Sequence, residues 1–169
     1  MHDRLTRSDI EKMEKELEER KLVTRYELIA AVKEARAHGD LSENFEYHAA
    51  RREKAQNESR IAYLEDMIKT AVIIDDEVKD EKGVAGLDKP VEIYFPDDDE
   101  TESYRIVTTI RGNSLKGLIS IDSPLGKALL GHRAGDRVHV KISDTAGYDV
   151  VIRSVGEAED DSGDEIKAF

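Results

Sequence analysis

The chain has 169 residues and a formal net charge of -12, from 38 acidic and 26 basic side chains. It contains no cysteine, which excludes disulfide scaffolds, cysteine-ligated metal sites and thiol nucleophiles. No apolar run approaches the length of a membrane span, and the charged N-terminal segment lacks the apolar core of a signal peptide. We therefore expect a cytoplasmic protein, and the acidity argues at first sight against general binding of nucleic acid.

The negative charge is concentrated in two short stretches. Residues 97–102 carry a charge of -5 and residues 156–169 carry another -5, whereas residues 103–155 carry +4. We predict that the first stretch is a turn between strands. The second has no apolar periodicity, and we predict a solvated, disordered tail over 156–169.

Residues 8–70 have the pattern of a helical hairpin. They contain no proline and a single glycine, Gly39, and Ser8 followed by Glu11 has the spacing of a capping box at a helix start. Apolar residues then recur at intervals of three and four, at Ile10, Met13 and Leu17 and again at Leu22, Tyr26, Ile29 and Val32. A second helix has the 3-4 alternation of a coiled coil, at Tyr47, Ala50, Lys54, Asn57, Ile61, Leu64 and Ile68.

Gly39 lies between the two halves, at the place of a left-handed C-terminal cap. We predict two antiparallel helices of about 28–30 residues, joined near 38–42 and forming a coiled-coil hairpin about 40–45 Å long. The hairpin accounts for a first domain of residues 1–75, with an acidic tip at 38–46. A rod of this kind buries surface along its seam and is not a compact enzyme core.

From residue 71 the period changes to two, which predicts a second domain over 76–155. Candidate strands are Val72–Ile74, Val91–Phe95, Tyr104–Ile110, Leu118–Ile121, Arg137–Ser143 and Tyr148–Ser154. Ser123, Pro124 and Gly131 mark the start and end of one short helix. The fold class is therefore α+β, with a helical hairpin followed by an antiparallel sheet that carries one short helix.

Two acidic residues at the tip, Asp40 and Glu43, have two interpretations. In the structural one, Asp40 is an N-cap acid and Glu43 the glutamate three residues later, and spacing alone favours this. In the functional one, carboxylates three residues apart at a helix start lie about 5–6 Å apart and hold one Mg²⁺ together, with the other ligands supplied from elsewhere. A half-site at the end of a rod suggests a part carried into the active site of another protein, for two-metal phosphoryl chemistry.

Two blocks of residues, one at the tip of the hairpin and one in the C-terminal domain, form recognisable motifs. The first block is Glu34-Ala35-Arg36-Ala37-His38-Gly39-Asp40-Leu41-Ser42-Glu43-Asn44 with Glu46-Tyr47-His48-Ala49-Ala50-Arg51. The second is Tyr104-Arg105-Ile106-Val107, then Ile119-Ser120-Ile121-Asp122-Ser123-Pro124-Leu125-Gly126-Lys127-Ala128-Leu129-Leu130-Gly131, then Gly135-Asp136. Together the two blocks resemble the GreA family of bacterial transcript-cleavage factors. The resemblance extends from about Leu5 to Val155, and it implies an FKBP-like fold for the C-terminal domain.

The resemblance implies that the coiled coil enters the secondary channel of bacterial RNA polymerase and that the C-terminal domain docks on the rim of that channel. Asp40 and Glu43 are then metal ligands and catalytic residues that share a Mg²⁺ with the polymerase. The polymerase itself cuts the backtracked nascent RNA, so the protein is not an enzyme, and we expect a monomer. By the same resemblance Arg36 and Arg51, with Arg52 beside them, contact the RNA, and Asp122, Ser123 and Pro124 contact the rim.

Several alternatives remain open from the sequence. The second interpretation is a homologue of the family that occupies the same channel and inhibits RNA polymerase without stimulating cleavage. A prolyl isomerase needs an aromatic-lined apolar pocket, whereas residues 103–155 contain only Tyr104 and Tyr148 as aromatic residues. A coiled-coil adaptor without chemistry is a further reading. The alternative for Arg36 and Arg51 is salt bridging to neighbouring glutamates on exposed helix faces.

Overall fold

A computed structural model describes residues 3–39, 43–74 and 81–168. The chain divides into two compact units. The first contains Arg7–Val72, and the second contains Arg4–Thr6 and Ile73–Ala168. The predicted domain boundary at 75/76 falls in residues 75–80, which lie outside the described residues.

The first unit is the helical hairpin that the periodicity predicts. One arm consists of helix α1 (Arg7–Glu19), a π-helical segment (Arg20–Thr24) and helix α2 (Arg25–Ala37). The other arm is helix α3 (Phe45–Thr70), and both α1 and α2 pack against it. Its 26 residues correspond to a rod of about 39 Å, close to the predicted length.

The predicted apolar face of the first arm is wrong in its second half. Leu22, Tyr26 and Ile29 are exposed by 63%, 63% and 37%. The physical reason is the interval of five residues between Leu17 and Leu22, which is not a step along one α-helical face. Thr24 and Leu28 are half-buried and Ala35 is buried, so the seam follows those side chains instead.

The seam of α3 contains buried polar side chains as well as the predicted apolar ones. Ile61, Leu64 and Asn57 are buried, whereas Lys54 is exposed. Arg60, which the heptad pattern does not include, is also buried. A network of charged hydrogen bonds therefore lies inside the hairpin seam.

The second unit is built on a five-stranded sheet. Its strands are β3 (Pro90–Phe95), β4 (Glu100–Val107), β5 (Leu118–Ser120), β6 (Arg137–Lys141) and β7 (Gly147–Val155), in the order β5-β4-β3-β7-β6. A separate two-stranded ribbon pairs β1 (Arg4–Leu5) with β2 (Val72–Ile73).

One strand departs from the predicted antiparallel sheet. β5 runs parallel to β4, while β4 with β3, β3 with β7 and β6 with β7 are antiparallel, so the sheet is mixed. The chain between β4 and β5 forms two 3₁₀ turns, Thr109–Arg111 and Ser114–Lys116, where the sequence predicts a continuing strand to Ile110. Alternation within β3 places Val91 and Ile93 in the core.

The predicted short helix is present as α4 (Pro124–Leu129), with Ser123 at its N-cap. It covers the sheet, and Leu129 joins the core formed by Ile93, Ile106, Val140 and Ile152. Among the described residues, no helix is long and apolar enough to span a membrane.

The acidic tail differs from the predicted disordered segment. It forms no helix or strand over 156–168, but its backbone binds the sheet domain: Glu159 N–H donates to Asp88 O at 2.7 Å and Lys167 N–H donates to Ile110 O at 2.9 Å. Asp164 accepts hydrogen bonds from Arg105 and Arg111. The acidic composition of the tail predicts that it is solvated. Composition does not show that its basic partners, Arg105 and Arg111, lie more than 50 residues earlier in the sequence.

Candidate functional site

The hairpin tip begins where α2 ends. His38 is the C-cap of α2, and Gly39 follows with a φ of 130°, as its predicted capping role requires. The amide of Gly39 donates to the carbonyl of Arg36 at 3.1 Å. Asp40, Leu41 and Ser42 lie outside the described residues, so the predicted metal ligand Asp40 has no described position.

Glu43 lies in the turn that leads into α3, and its side chain is exposed. The predicted capping arrangement is wrong for this residue, because Glu43 precedes the N-cap rather than lying in the first helical turn. The N-cap is Asn44, and α3 begins at Phe45. The helical spacing used to place Asp40 and Glu43 about 5–6 Å apart therefore does not apply to Glu43.

Asn44 joins the two arms of the hairpin with one side chain. Its Oδ1 accepts from the amide of Tyr47 at 3.1 Å, which is the usual N-cap bond to the third helical residue. Its Nδ2 donates to the carbonyl oxygen of Ala35 at 2.9 Å and to that of Gly39. Sequence reasoning missed this residue, although an asparagine directly before a helix start is itself an N-cap signal.

The aromatic ring of Tyr47 brings together the two predicted RNA-contacting arginines. The guanidinium carbon of Arg36, from the last turn of α2, lies 5.4 Å from the ring centroid, and that of Arg51, one turn along α3, lies 5.7 Å from it. Nη2 of Arg36 also donates to the hydroxyl of Tyr47 at 3.0 Å. Arg52 is exposed on the following position of α3. The tip thus carries a cluster of positive charge.

The described part of the tip offers limited metal-binding capacity. A carboxylate such as that of Glu43 is a ligand of the kind that Mg²⁺ prefers. Glu46, in the first turn of α3, lies 3.3 Å from Nδ1 of His38. Within residues 3–39, 43–74 and 81–168, no group of three or more potential metal ligands occurs. The donor chemistry of Glu43 fits Mg²⁺, but further ligands must come from elsewhere.

Phe45 is a large aromatic residue at the very start of α3, and it is 80% exposed. Its amide donates to the carbonyl of Glu43 at 2.9 Å. A shallow depression at the tip is lined by His38, Gly39, Glu43, Asn44, Phe45 and Glu46. The acid and the exposed ring are therefore neighbours on the surface of the tip.

The predicted rim-contacting residues form one loop between β5 and α4. Asp122 accepts from Arg4 at 2.6 Å and from the hydroxyl of Thr109 at 2.8 Å. The hydrogen bond from Arg4 is the main cause that holds the pKa of the Asp122 carboxyl below its ordinary value. Asp122 is therefore a charged, half-exposed side chain on a supported loop.

Ser123 and Pro124 fix the start of α4. Oγ of Ser123 accepts from the amide of Gly126 at 3.1 Å and donates to the carbonyl of Ser120 at 2.6 Å. A Cβ at Gly126 would lie 2.0 Å from that same carbonyl oxygen, so only glycine fits between α4 and β5. The loop conformation thus depends on close packing of the helix against the strand.

The chain matches known families over most of its length. The model for the N-terminal domain of transcription elongation factors matches residues 4–73, and the model for the C-terminal domain of GreA/GreB transcription elongation factors matches residues 80–157. Transcription elongation factor GreA of Geobacillus kaustophilus is 44% identical over 151 residues, which cover 89% of this chain and 93% of the relative. GreA of Bacillus cytotoxicus is 46% identical over 138 residues, covering 81% and 86%.

A crystal structure of GreA factor homolog 1 of Thermus thermophilus is 30% identical and covers 92% of this chain and 99% of that chain, with a TM-score of 0.42. Because that TM-score is low, the assignment rests on the sequence matches to both domains. The chain belongs to the GreA/GreB family of transcription elongation factors.

Proposed function

We propose that the protein inserts its hairpin into the secondary channel of bacterial RNA polymerase and stimulates cleavage of backtracked nascent RNA. The observation that carries the proposal is the composition of the tip, where the exposed carboxylate of Glu43 lies at the end of a hairpin flanked by Arg36 and Arg51. Membership of the family supports an action on transcription elongation.

The metal in this proposal is a Mg²⁺ shared with the polymerase. Asp40 and Glu43 would supply carboxylate ligands to it, and the remaining ligands would come from the polymerase and from water. When bound there, Mg²⁺ lowers the pKa of a coordinated water and stabilises charge on a phosphoryl group. The role of this chain is to hold its two carboxylates where the RNA 3′ segment is extruded.

The basic side chains of the tip would bind that RNA segment. Guanidinium groups pair with phosphate oxygens through two parallel hydrogen bonds, which suits Arg36, Arg51 and Arg52 to this task. The net charge of -12 does not oppose such contacts. Two short acidic stretches hold most of that charge, and the arginines of the tip act locally.

The loop of Asp122, Ser123 and Pro124 would dock on the rim of the channel. Arg4 and Thr109 bind the carboxylate of Asp122, and the N-cap bond of Ser123 holds the loop in place. Such a loop suits a basic surface on the polymerase. In this proposal the factor works as a monomer in the cytoplasm, where its partner is.

The test uses a bacterial elongation complex stalled on labelled, backtracked RNA. Addition of the protein with Mg²⁺ should release short 3′ fragments and restore elongation. If the protein instead slows nucleotide addition without releasing fragments, the inhibitory reading replaces ours. If the protein does not bind the polymerase at all, both readings fail.

The surface of the sheet domain gives little support to prolyl isomerase activity. A depression on this unit is lined by Phe95 and Tyr148 together with Asp97, Asp98 and Asp149. Three carboxylates around two rings do not make the apolar pocket that a proline side chain needs. Binding to polymerase remains the better reading of this domain.

A further inference from the structure

Tyr47 stands at the centre of the tip without a role in the chemistry described so far. It is half-buried on α3, and it contacts one arginine from each arm of the hairpin. The phenol group makes two kinds of contact with Arg36, through the ring face and through the hydroxyl. Its backbone amide donates a hydrogen bond to Oδ1 of Asn44, the N-cap of α3. This bond fixes the position of Tyr47 in the first turn of the helix.

Two arginines close together repel each other and are flexible. Each side chain has many rotamers, and part of this freedom is lost when it binds a phosphate. The face of an aromatic ring attracts a guanidinium group, because the ring face carries partial negative charge. A ring that contacts both Arg36 and Arg51 therefore favours holding the two guanidinium groups near each other and restricts their motion before any ligand arrives.

We propose that Tyr47 is a positioning residue that holds the guanidinium groups of Arg36 and Arg51 as a preorganised clamp for one phosphodiester segment of RNA. The proposal rests on the proposed function, because the RNA is the segment extruded into the polymerase channel. Tyr47 acts through the two arginines and touches neither the metal nor the scissile bond. The ring belongs to α3, and it restrains one arginine from α2 and one from α3.

The first test is a double-mutant cycle in the cleavage assay. Tyr47→Leu keeps a helix-compatible apolar side chain but removes the ring, and we expect the concentration of factor for half-maximal cleavage to rise about five- to tenfold. If the ring acts through the arginines, Tyr47→Leu should add little to Arg36→Ala or Arg51→Ala. Additive losses would overturn the proposal. Tyr47→Phe, which removes only the hydroxyl, should recover most of the activity.

Tyr63 provides a matched control on the same helix. The guanidinium carbon of Arg60 lies 5.2 Å from the centroid of its ring, so Tyr63→Leu removes a similar contact far from the tip. Tyr63→Leu should leave the half-maximal concentration of factor unchanged. Thermal unfolding of both variants separates a loss of folded protein from a loss of RNA binding. Equal effects of Tyr63→Leu and Tyr47→Leu on cleavage at equal stability would contradict a specific role of Tyr47.

A second measurement does not depend on cleavage. A photoreactive nucleotide at the 3′ end of backtracked RNA reports contact with the hairpin, and we expect Tyr47→Leu to reduce its cross-linking to the level of Arg36→Ala. If the wild type cross-links but releases no fragments, the proposed function fails while the positioning role stands. If Tyr47→Leu matches the wild type in cross-linking, the positioning role is wrong, whatever the cleavage assay shows.

Discussion

Nη1 of Arg111 donates a hydrogen bond of 2.8 Å to Oδ2 of Asp164 in the acidic tail. The side chain of Arg111 is fully buried, and the same nitrogen lies 2.7 Å from Oδ1 of Asp88. Asp164 also accepts from Arg105. The tail beyond residue 157, where the family match ends, thus supplies a counter-charge for two arginines of the sheet domain.

Asp164→Asn should destabilise the sheet domain by about 1–2 kcal/mol, because it removes one of the carboxylates that pair with the buried Arg111 and leaves Asp88 as its remaining partner. Amide hydrogen exchange in β3 and β7 should become faster in this variant, and it reports this unit separately from the hairpin. Glu165→Gln is the matched control, since Glu165 is the exposed neighbouring acid. Equal exchange rates in the two variants would show that Asp164 has no structural role.

The same contact should make stability depend on acidic pH. Burial raises the pKa of the Asp164 carboxyl, but hydrogen bonds from Arg105 and Arg111 outweigh burial, so its pKa lies below the ordinary 3.8. A lowered pKa in the folded state gives stability that is present above pH 3.8 and is lost as the pH falls through the folded-state value. The difference in unfolding free energy between wild type and Asp164→Asn should therefore be constant at neutral pH and shrink in acid. A difference that grows in acid would contradict this assignment.

Asn44 should control the structure of the tip through two separable sets of hydrogen bonds. Asn44→Ala removes the N-cap of α3 and should cost the hairpin about 1 kcal/mol or more. Asn44→Asp keeps an acceptor for the amide of Tyr47 but has no donor for the carbonyls of Ala35 and Gly39. We expect fast exchange of the Tyr47 amide in Asn44→Ala, slow exchange in Asn44→Asp, and weakened cleavage in both. Wild-type exchange in Asn44→Ala would rule out the cap.

The buried ion pair in the hairpin seam should contribute to its stability. Both carboxylate oxygens of Glu16 accept from Arg60, at 2.9 and 3.2 Å, and Oε1 also accepts from Arg20 at 2.9 Å. Burial raises the pKa of Glu16, and the hydrogen bonds from Arg60 and Arg20 outweigh it, so the carboxylate stays charged. Glu16→Gln should cost about 1–3 kcal/mol, measured by urea unfolding.

Glu58 offers the control for that measurement. Its two carboxylate oxygens accept from Nε and Nη2 of Arg25 at 3.0 and 2.9 Å, but at a more exposed position of the same hairpin. Glu58→Gln should therefore destabilise the hairpin less than Glu16→Gln, because water screens an exposed pair. If Glu58→Gln destabilised the hairpin more than Glu16→Gln, burial would not be the factor that sets the strength of these pairs.

The parts of the fold that follow from short-range periodicity were predictable. The 3-4 spacing of Asn57, Ile61 and Leu64 places them in the seam, and the alternation of Val91 and Ile93 places them in the core of the sheet. Each of these patterns depends on residues within one element. Periodicity alone is therefore enough to find most helices and strands of this chain.

The rest depends on contacts that no local pattern records. Asp40 and Asn44 are both good N-cap residues, and the observed choice of Asn44 follows from its amide group, which also binds the end of α2. Asp164 meets Arg105 and Arg111 across 59 and 53 residues of sequence, so the composition of the tail suggested only solvation. Family resemblance identified Arg36 and Arg51, but not the ring of Tyr47 that contacts both.

The central proposal is that the acids of the tip take part in RNA cleavage by the polymerase. The most direct measurement compares single-turnover release of 3′ fragments from a backtracked complex by the wild type, Asp40→Asn and Glu43→Gln at saturating factor. Glu46→Gln is the matched control, because Glu46 is an exposed acid three residues beyond Glu43, in the first turn of α3. We expect Asp40→Asn and Glu43→Gln to bind polymerase normally and to lose about tenfold or more in cleavage rate, with Glu46→Gln close to wild type. Wild-type cleavage by Glu43→Gln would contradict the proposal.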